Sequence, residues 1–220
     1  MELMEAAKAR HSVRSYSDRA IEPEKKQALT EKIKETNAQS GLHIQLICDE
    51  PKAFDSILAH YGKFSGVTNY FALIGKKSDD LSEKCGYYGE QLVLLAQQLG
   101  LNTCWVAMTY TKVKSAYQID AGEKLVIVIS LGYGNTQGVP HKSKAAADVS
   151  KADTDSSWFT CGVEAALLAP TAMNQQKFRF EKAGDKVTAT AGTGFYSKID
   201  LGIAKLHFEI GAGTDHFEWA

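Results

Sequence analysis

The sequence predicts an α+β fold, on three observations. Apolar residues recur at helical spacing in some stretches, most clearly at Leu92, Leu95, Ala96 and Leu99 ahead of Gly100. Other stretches are short, aliphatic and β-branched or aromatic, notably residues 43–48, 70–74 and 124–130. Late in the chain two strand-like runs, 179–182 and 186–191, flank Ala183-Gly184-Asp185, the composition of a hairpin.

Taken in order, residues 2–9 read as a short helix and 18–22 as a loop. Pro23 suits a first helical turn, where its missing N–H costs nothing, and 23–36 continue as a helix with Leu29 and Ile33 one turn apart. A strand at 43–48, a helix at 51–60 and a strand at 70–74 follow, the last closed by Gly75-Lys76-Lys77. Residues 89–99 form the clearest helix, with Gly100 as its C-cap. Residues 124–130 enclose the unbroken apolar run 125–129, as in a strand central to a sheet. Residues 134–153 are rich in Gly, Ser, Lys and Ala, carry Pro140, and read as a linker between lobes. Beyond it lie a helix at 158–169, the hairpin, an amphipathic helix at 200–211 and a final strand within 215–220.

With 220 residues, the chain can build one substantial core or two fused small lobes. Hydrophobic content of 44%, charged content of 23% and a net charge of −1 are those of a globular protein that binds neither nucleic acid nor a membrane surface. No apolar run approaches the ~20 residues that span a bilayer, and the charged N-terminus lacks a signal-peptide core, so a cytoplasmic location is expected. The four cysteines form no C-x-x-C pair, and no Cys/His cluster has zinc-ligand spacing, so no metal is expected.

Two segments carry chemistry. Arg10-His11-Ser12-Val13-Arg14 places two guanidiniums and a hydroxyl within five residues; on a helix, Arg10 and Arg14 would share one face. Arginine is well suited to bidentate phosphate contacts, although a solvated basic helix end has the same composition. The second segment is Ala169-Pro170-Thr171-Ala172-Met173-Asn174-Gln175-Gln176-Lys177-Phe178.

Together these segments resemble the FMN-dependent nitroreductase family. The first matches its basic R-x-S-x-R/K helix. The second matches its A-P-S-x-x-N-x-Q-P-W helix, with Thr for Ser and Lys-Phe for Pro-Trp. Between them, Leu99-Gly100-Leu101-Asn102-Thr103-Cys104-Trp105 and Leu131-Gly132-Tyr133-Gly134 look like the family's G-L-x-x-C-W and G-Y segments. The resemblance implies a nitroreductase-like fold, a central, mostly antiparallel sheet flanked by helices. It also implies FMN as cofactor, NAD(P)H as a transient co-substrate and a small-molecule electron acceptor such as a nitro compound or quinone. No nucleophile or acid–base residue of the chain is then required, because the flavin carries the chemistry.

By the same resemblance, Arg10 and Ser12 meet the FMN phosphate, with His11 between them in the cofactor-binding motif, helped by His141, Lys142 and Lys144 beyond Gly132; residues 141–144 also read as solvated linker. Arg14 stabilises the reduced ring. The backbone of Trp105, Val106, Ala107 and Met108 runs along the ring. Pro170, Thr171, Ala172, Asn174 and Gln176 reach the ring or ribityl chain. In the family the S-x-x-N helix comes from a partner subunit. Here the early copy at Ser40-Gly41-Leu42-His43 lacks the asparagine, and the late copy at Thr171–Asn174 keeps it. Residues 40–45 can be laid on 171–176, and 89–100 on 200–211. We therefore expect a nitroreductase-like lobe, 1–145, and a shortened second lobe, 146–220, that mimics the dimer partner. The chain would be a monomer with an internal pseudo-dimer, with a homodimer left open. The alternative reading is an FMN-binding protein without turnover, serving flavin storage, sensing or breakdown.

Overall fold

The computed structural model describes residues 1–151 and 156–220. In chain order it contains α1 (Leu3–Ala9), α2 (Pro23–Ser40), β1 (Gln45–Ile47), α3 (Ile57–Tyr61), β2 (Asn69–Lys76), α4 (Leu81–Gln98), β3 (Asn102–Val106) and β4 (Glu123–Gly132). There follow α5 (Ala146–Val149), α6 (Ser157–Ala166), a 3₁₀ turn at Ala172–Asn174, β5 (Phe178–Ala183), β6 (Lys186–Ala191), α7 (Ser197–Ala212), a second 3₁₀ turn at Thr214–His216 and β7 (Glu218–Trp219). Ala152 and Asp153, the end of the expected linker, lie outside the described residues. Among the described residues no helix is long and apolar enough to cross a membrane.

Two compact units result, each discontinuous in sequence. The sheet unit comprises Arg10–Leu81 and Leu92–Pro140; the helical unit comprises Met1–Ala9, Ser82–Gln91 and His141–Ala220. The expected lobes, 1–145 and 146–220, were contiguous. Packing instead assigns α1 and the first half of α4 to the unit that holds the C-terminal third.

The sheet unit is built on four strands in the order β1-β2-β4-β3, every neighbour antiparallel. β4 is internal, as its apolar sequence predicts, and pairs Ile129 with Phe71 and Val128 with Ala72. All of β2 except its last residue is buried. Phe54, Phe64 and Tyr70 cluster beneath it, with the Phe54 ring 5.2 Å from Phe64 and 5.8 Å from Tyr70. The helix expected at 51–60 is confined to α3. The Glu50 carboxylate accepts from the backbone N–H of Lys52 (2.9 Å) and Ala53 (3.1 Å), fixing a turn that carries Phe54 into the core. α2 runs one turn further than expected. Asn37 supports that turn by bonding both backbone groups of Ile44, and Gly41 ends it in the left-handed region, φ 71°.

In the helical unit, α6 packs on α7, beside β5 and β6 paired antiparallel and β7 parallel to β6. α7, expected to be amphipathic, is buried on most sides. Phe208 lies at the centre of an aromatic core, 4.7 Å from Phe180, 5.2 Å from Phe217 and 5.6 Å from both Phe159 and Trp219. The first half of α4 crosses α7 at paired glycines. A Cβ on Gly86 would lie 2.0 Å from the Ile199 carbonyl oxygen, and one on Gly202 would lie 2.0 Å from that of Glu83. These contacts are reciprocal, as at a local twofold axis. They relate Gly86 to Gly202, a register different from the one read in the sequence repeat. The other half of that repeat has no common local structure: Ser40-Gly41 ends a helix, whereas Thr171–Asn174 forms a turn. Near the crossing, His207 Nε2 lies 3.0 Å from Glu90 Oε1, both side chains 0% exposed.

Candidate functional site

The basic segment begins where α1 ends. It is not the helix on which Arg10 and Arg14 would share a face. It runs extended along the outer edge of β3: Ser12 bridges Thr103 in parallel, and Val13 N–H donates to the Thr103 carbonyl (3.0 Å). Its other side is held by Ser65, whose N–H donates to the Arg14 carbonyl and whose carbonyl accepts from Tyr16 N–H, both 3.0 Å. The cause is burial. Val13 and Tyr16 belong to the sheet core, and the Tyr16 hydroxyl donates to the Val13 carbonyl while lying 2.8 Å from Ser130 Oγ. A β3 edge also offers backbone partners that a helix would forgo.

The two arginines consequently differ. Arg10 is 4% exposed, whereas Arg14 is exposed with its guanidinium carbon 6.0 Å from the centre of the Phe64 ring. Ser12 bonds the Cys104 thiol. Burial pushes that thiol up, against the pull of Arg14, the Ser12 hydrogen bond and Arg10. Residues 134–138 pass over the segment: Tyr16 bridges Gly134, Asn135 N–H donates to the Ser15 carbonyl, and a Cβ on Gly138 would lie 2.8 Å from the His11 Cβ. Gly132 closes β4 beside Tyr16, whose ring would meet a Cβ there at 3.1 Å. Of the expected ring-side segment, Trp105 and Val106 end β3, Val106 is buried, and Ala107 and Met108 lead out of the sheet with Met108 exposed. The sheet unit thus gathers Arg10, His11, Ser12, Arg14 and the end of β3.

The helical unit gathers the other expected residues. The second segment is not a helix either. α6 stops at Ala166, Pro170 is buried, and Ala172–Asn174 form a 3₁₀ turn in which Met173 and Asn174, like Gln176 after them, have left-handed backbones (φ 52°, 52° and 45°). Side chains supply what helical hydrogen bonds would have supplied. Thr171 Oγ1 accepts from Gln176 N–H (3.1 Å), and Asp200 Oδ1 accepts from Ala172 N–H (2.9 Å). The turn is tied to residues 141–144. Asn174 Nδ2 and Gln176 Nε2 both donate to the Lys142 carbonyl (2.8 and 2.9 Å). Gln176 Oε1 accepts from Lys144 N–H, and Lys144 Nζ donates to the Gln176 carbonyl. Gln176 is 2% exposed, and its amide also reaches Asn174 Oδ1. It therefore joins two motifs and is not aimed outward as a ligand. His141 Nε2 lies 3.3 Å from the Leu168 carbonyl, and Lys142 is exposed.

Asp200 is the residue that sequence reasoning missed. It sits on α7 between Ile199 and Leu201, 2% exposed, and its second oxygen accepts from Gln175 Nε2 (2.7 Å). Burial pushes its carboxyl up to about 6 from an ordinary 3.8, while the Ala172 and Gln175 hydrogen bonds pull it back. An acid at an apolar position of an otherwise buried helix was the available signal.

Among the described residues His43, Asp120 and Glu123 bring potential metal ligands within 4.8 Å. Hydrogen bonding argues against a metal there. Gln45 is fixed by accepting from Gln118 N–H (2.9 Å) and donating to the Gln118 carbonyl (2.7 Å), so its Nε2 donates to His43 Nε2 (3.2 Å). His43 then carries its proton on Nδ1 and donates to Glu123 (2.9 Å). A metal on Nδ1 would move that proton to Nε2, against the Gln45 amide donor.

Comparison with known proteins places the chain. A Thermotoga maritima protein solved as a "putative nitroreductase" shares 23% identity and a TM-score of 0.66, over 96% of this chain and 83% of that one. A Parabacteroides distasonis structure named "Putative NADH dehydrogenase/NAD(P)H nitroreductase" shares 22% identity and a TM-score of 0.53, over 67% of this chain and 95% of that one. A nitroreductase family protein from Streptococcus pneumoniae shares 12% identity with a TM-score of 0.54, over 67% and 98% respectively. These likenesses establish a nitroreductase-like fold. No curated protein matches the sequence. The nitroreductase family described as "Putative TM nitroreductase" matches residues 2–212, and the chain belongs to it.

Proposed function

We propose that the protein is an FMN-dependent oxidoreductase that passes hydride from NAD(P)H to a nitro, quinone or similar acceptor. Family membership supports an oxidoreductase. The name of the Parabacteroides structure supports NAD(P)H as reductant. The observation that carries the flavin is the donor set of the extended basic segment: a buried Arg10, a half-buried Ser12 and an exposed Arg14 on one strand edge. Its chemistry fits a dianionic phosphate and a ring that becomes negative on reduction.

In this reading Arg10 and Ser12 hold the phosphate, with His11 beside them and Lys142, Lys144 and His141 adding positive charge. Arg14 presents a fixed charge toward the pyrimidine edge. The end of β3, Trp105 to Met108, and Gly132 line the ring with backbone and apolar atoms. Pro170, Thr171, Ala172 and Asn174 supply the remaining contacts, and Gln176 holds Asn174 in place. Bound FMN supplies the two-electron chemistry, accepting hydride and passing it on. The chain carries one copy of each motif, so one FMN per chain is expected.

The test is the visible absorbance of the purified protein with added FMN or riboflavin, followed by steady-state oxidation of NAD(P)H with a quinone or nitroaromatic acceptor. FMN should bind more tightly than riboflavin, because charge-assisted phosphate contacts are worth roughly 1.5–3 kcal/mol each. Equal affinity for the two flavins sinks the phosphate assignment. Flavin binding without NAD(P)H oxidation leaves a flavin-binding protein and sinks the oxidoreductase.

A further inference from the structure

We propose that Asp200 is a positioning residue for flavin binding, a buried carboxylate that clamps the Thr171–Gln176 turn and thereby aims Asn174. This rests on the reading that the turn meets the flavin. Three observations carry it. The first is geometric: one oxygen of Asp200 takes Ala172 N–H at 2.9 Å and the other takes Gln175 Nε2 at 2.7 Å, so the carboxylate grips the turn on both sides of Met173 and Asn174. Gln175 also donates to the Phe195 carbonyl (2.8 Å), which links the grip to the loop before α7.

The second is conformational. Met173, Asn174 and Gln176 all have positive φ, a region that L-residues enter at a cost, so the turn needs an external hold to stay populated. The third is the burial of an acid 2% exposed within the apolar face of α7. Desolvation opposes its charge, and a carboxylate accepting two hydrogen bonds is what offsets that opposition. The effect passes from the turn to residues 141–144, because Asn174 and Gln176 hold the Lys142 carbonyl and the Lys144 N–H. One carboxylate thus sets the position of both the asparagine and the two lysines. Asp200 itself touches no reacting atom in this scheme.

The experiment compares flavin fluorescence titrations of the wild type, Asp200→Asn, Asp200→Ala and Arg10→Ala, with thermal melts of each apoprotein. Asp200→Asn keeps the shape and the Ala172 contact but sets an amide donor against the Gln175 donor. It should fold, and bind both FMN and riboflavin roughly tenfold more weakly, the loss of one charge-assisted hydrogen bond. Its bound flavin should show shifted visible bands, which a general loss of stability would not produce. Asp200→Ala should lose more affinity, while Arg10→Ala should weaken FMN and spare riboflavin. A folded Asp200→Asn protein with wild-type affinity and spectrum overturns the clamp alone. A wild type that binds neither flavin overturns both the clamp and the proposed function.

Discussion

The sheet unit spreads its stability over a broad layer of aliphatic and aromatic side chains, whereas the helical unit adds to its aromatic core a few close backbone approaches. In the first, β2 and β4 bury side chains that neighbours can partly replace. In the second, two helices meet backbone to backbone at Gly86 and Gly202, and polar groups such as Glu90, His207 and Asp200 are enclosed with named partners. The contrast teaches that equal burial does not mean equal tolerance. A packed aliphatic layer relaxes around a lost methyl group, but a carbonyl cannot move aside for a Cβ, and an enclosed charge cannot find water.

The sharpest break is at the buried His207–Glu90 contact. His207→Ala removes a fully enclosed ring together with its hydrogen bond to Glu90 and should cost ~3–5 kcal/mol in urea unfolding. Next comes the crossing: Gly86→Ala and Gly202→Ala should each cost about 3 kcal/mol, since the new Cβ meets a backbone oxygen at 2.0 Å. Near-UV circular dichroism checks this, because Trp158 and Trp219 both lie in the helical unit.

A pH series tests the burial of Asp200. The Asp200 pKa of about 6 lies above its ordinary 3.8, so the folded chain holds this proton more tightly than the unfolded chain. The stabilisation is fully present below pH 3.8 and lost as the pH rises through 6. Wild type should therefore lose stability relative to Asp200→Asn between pH 4 and pH 7, by up to ~3 kcal/mol. Parallel stability curves for the two proteins would refute this pH dependence and show that the Ala172 and Gln175 hydrogen bonds cancel the cost of burying the charge. The smallest effect belongs to the sheet unit. Ile74→Val should cost only about 1 kcal/mol in the same urea assay. If it matched Gly86→Ala, the contrast between the units would fail.

Arg10 and Arg14 extend the comparison to function. Arg10→Ala should chiefly lose FMN affinity, whereas Arg14→Ala should chiefly lower the flavin potential and slow reduction by NAD(P)H. Titration and stopped-flow reduction measure the two; identical changes would show that burial of one and exposure of the other make no functional difference.

Much of this architecture was legible in residue order. Periodicity located the strands and long helices because side-chain direction repeats with the backbone, every second residue in a strand and every 3.6 in a helix. That rule found β2, β4, the late hairpin and the second half of α4, whose first half, from Leu81, it missed. It failed at both motifs. Arg10 and Arg14 have helical spacing, and so do Thr171 and Asn174, yet neither pair is on a helix. Local spacing carries no information about the edge of β3 or about an acid 28 positions away on α7.

The sequence by itself determined the main strands and the long helices, the internal place of β4, the family motifs and the residues that carry charge. Only the tertiary structure decided their conformations and their partners. Val13 and Tyr16 pull the basic segment straight by entering the sheet core, and Asp200 bends the second segment by taking its N–H groups. In each case a contact distant in sequence outweighs local preference, because burial and the satisfaction of enclosed polar groups are each worth more than the few tenths of a kcal/mol that separate local backbone choices.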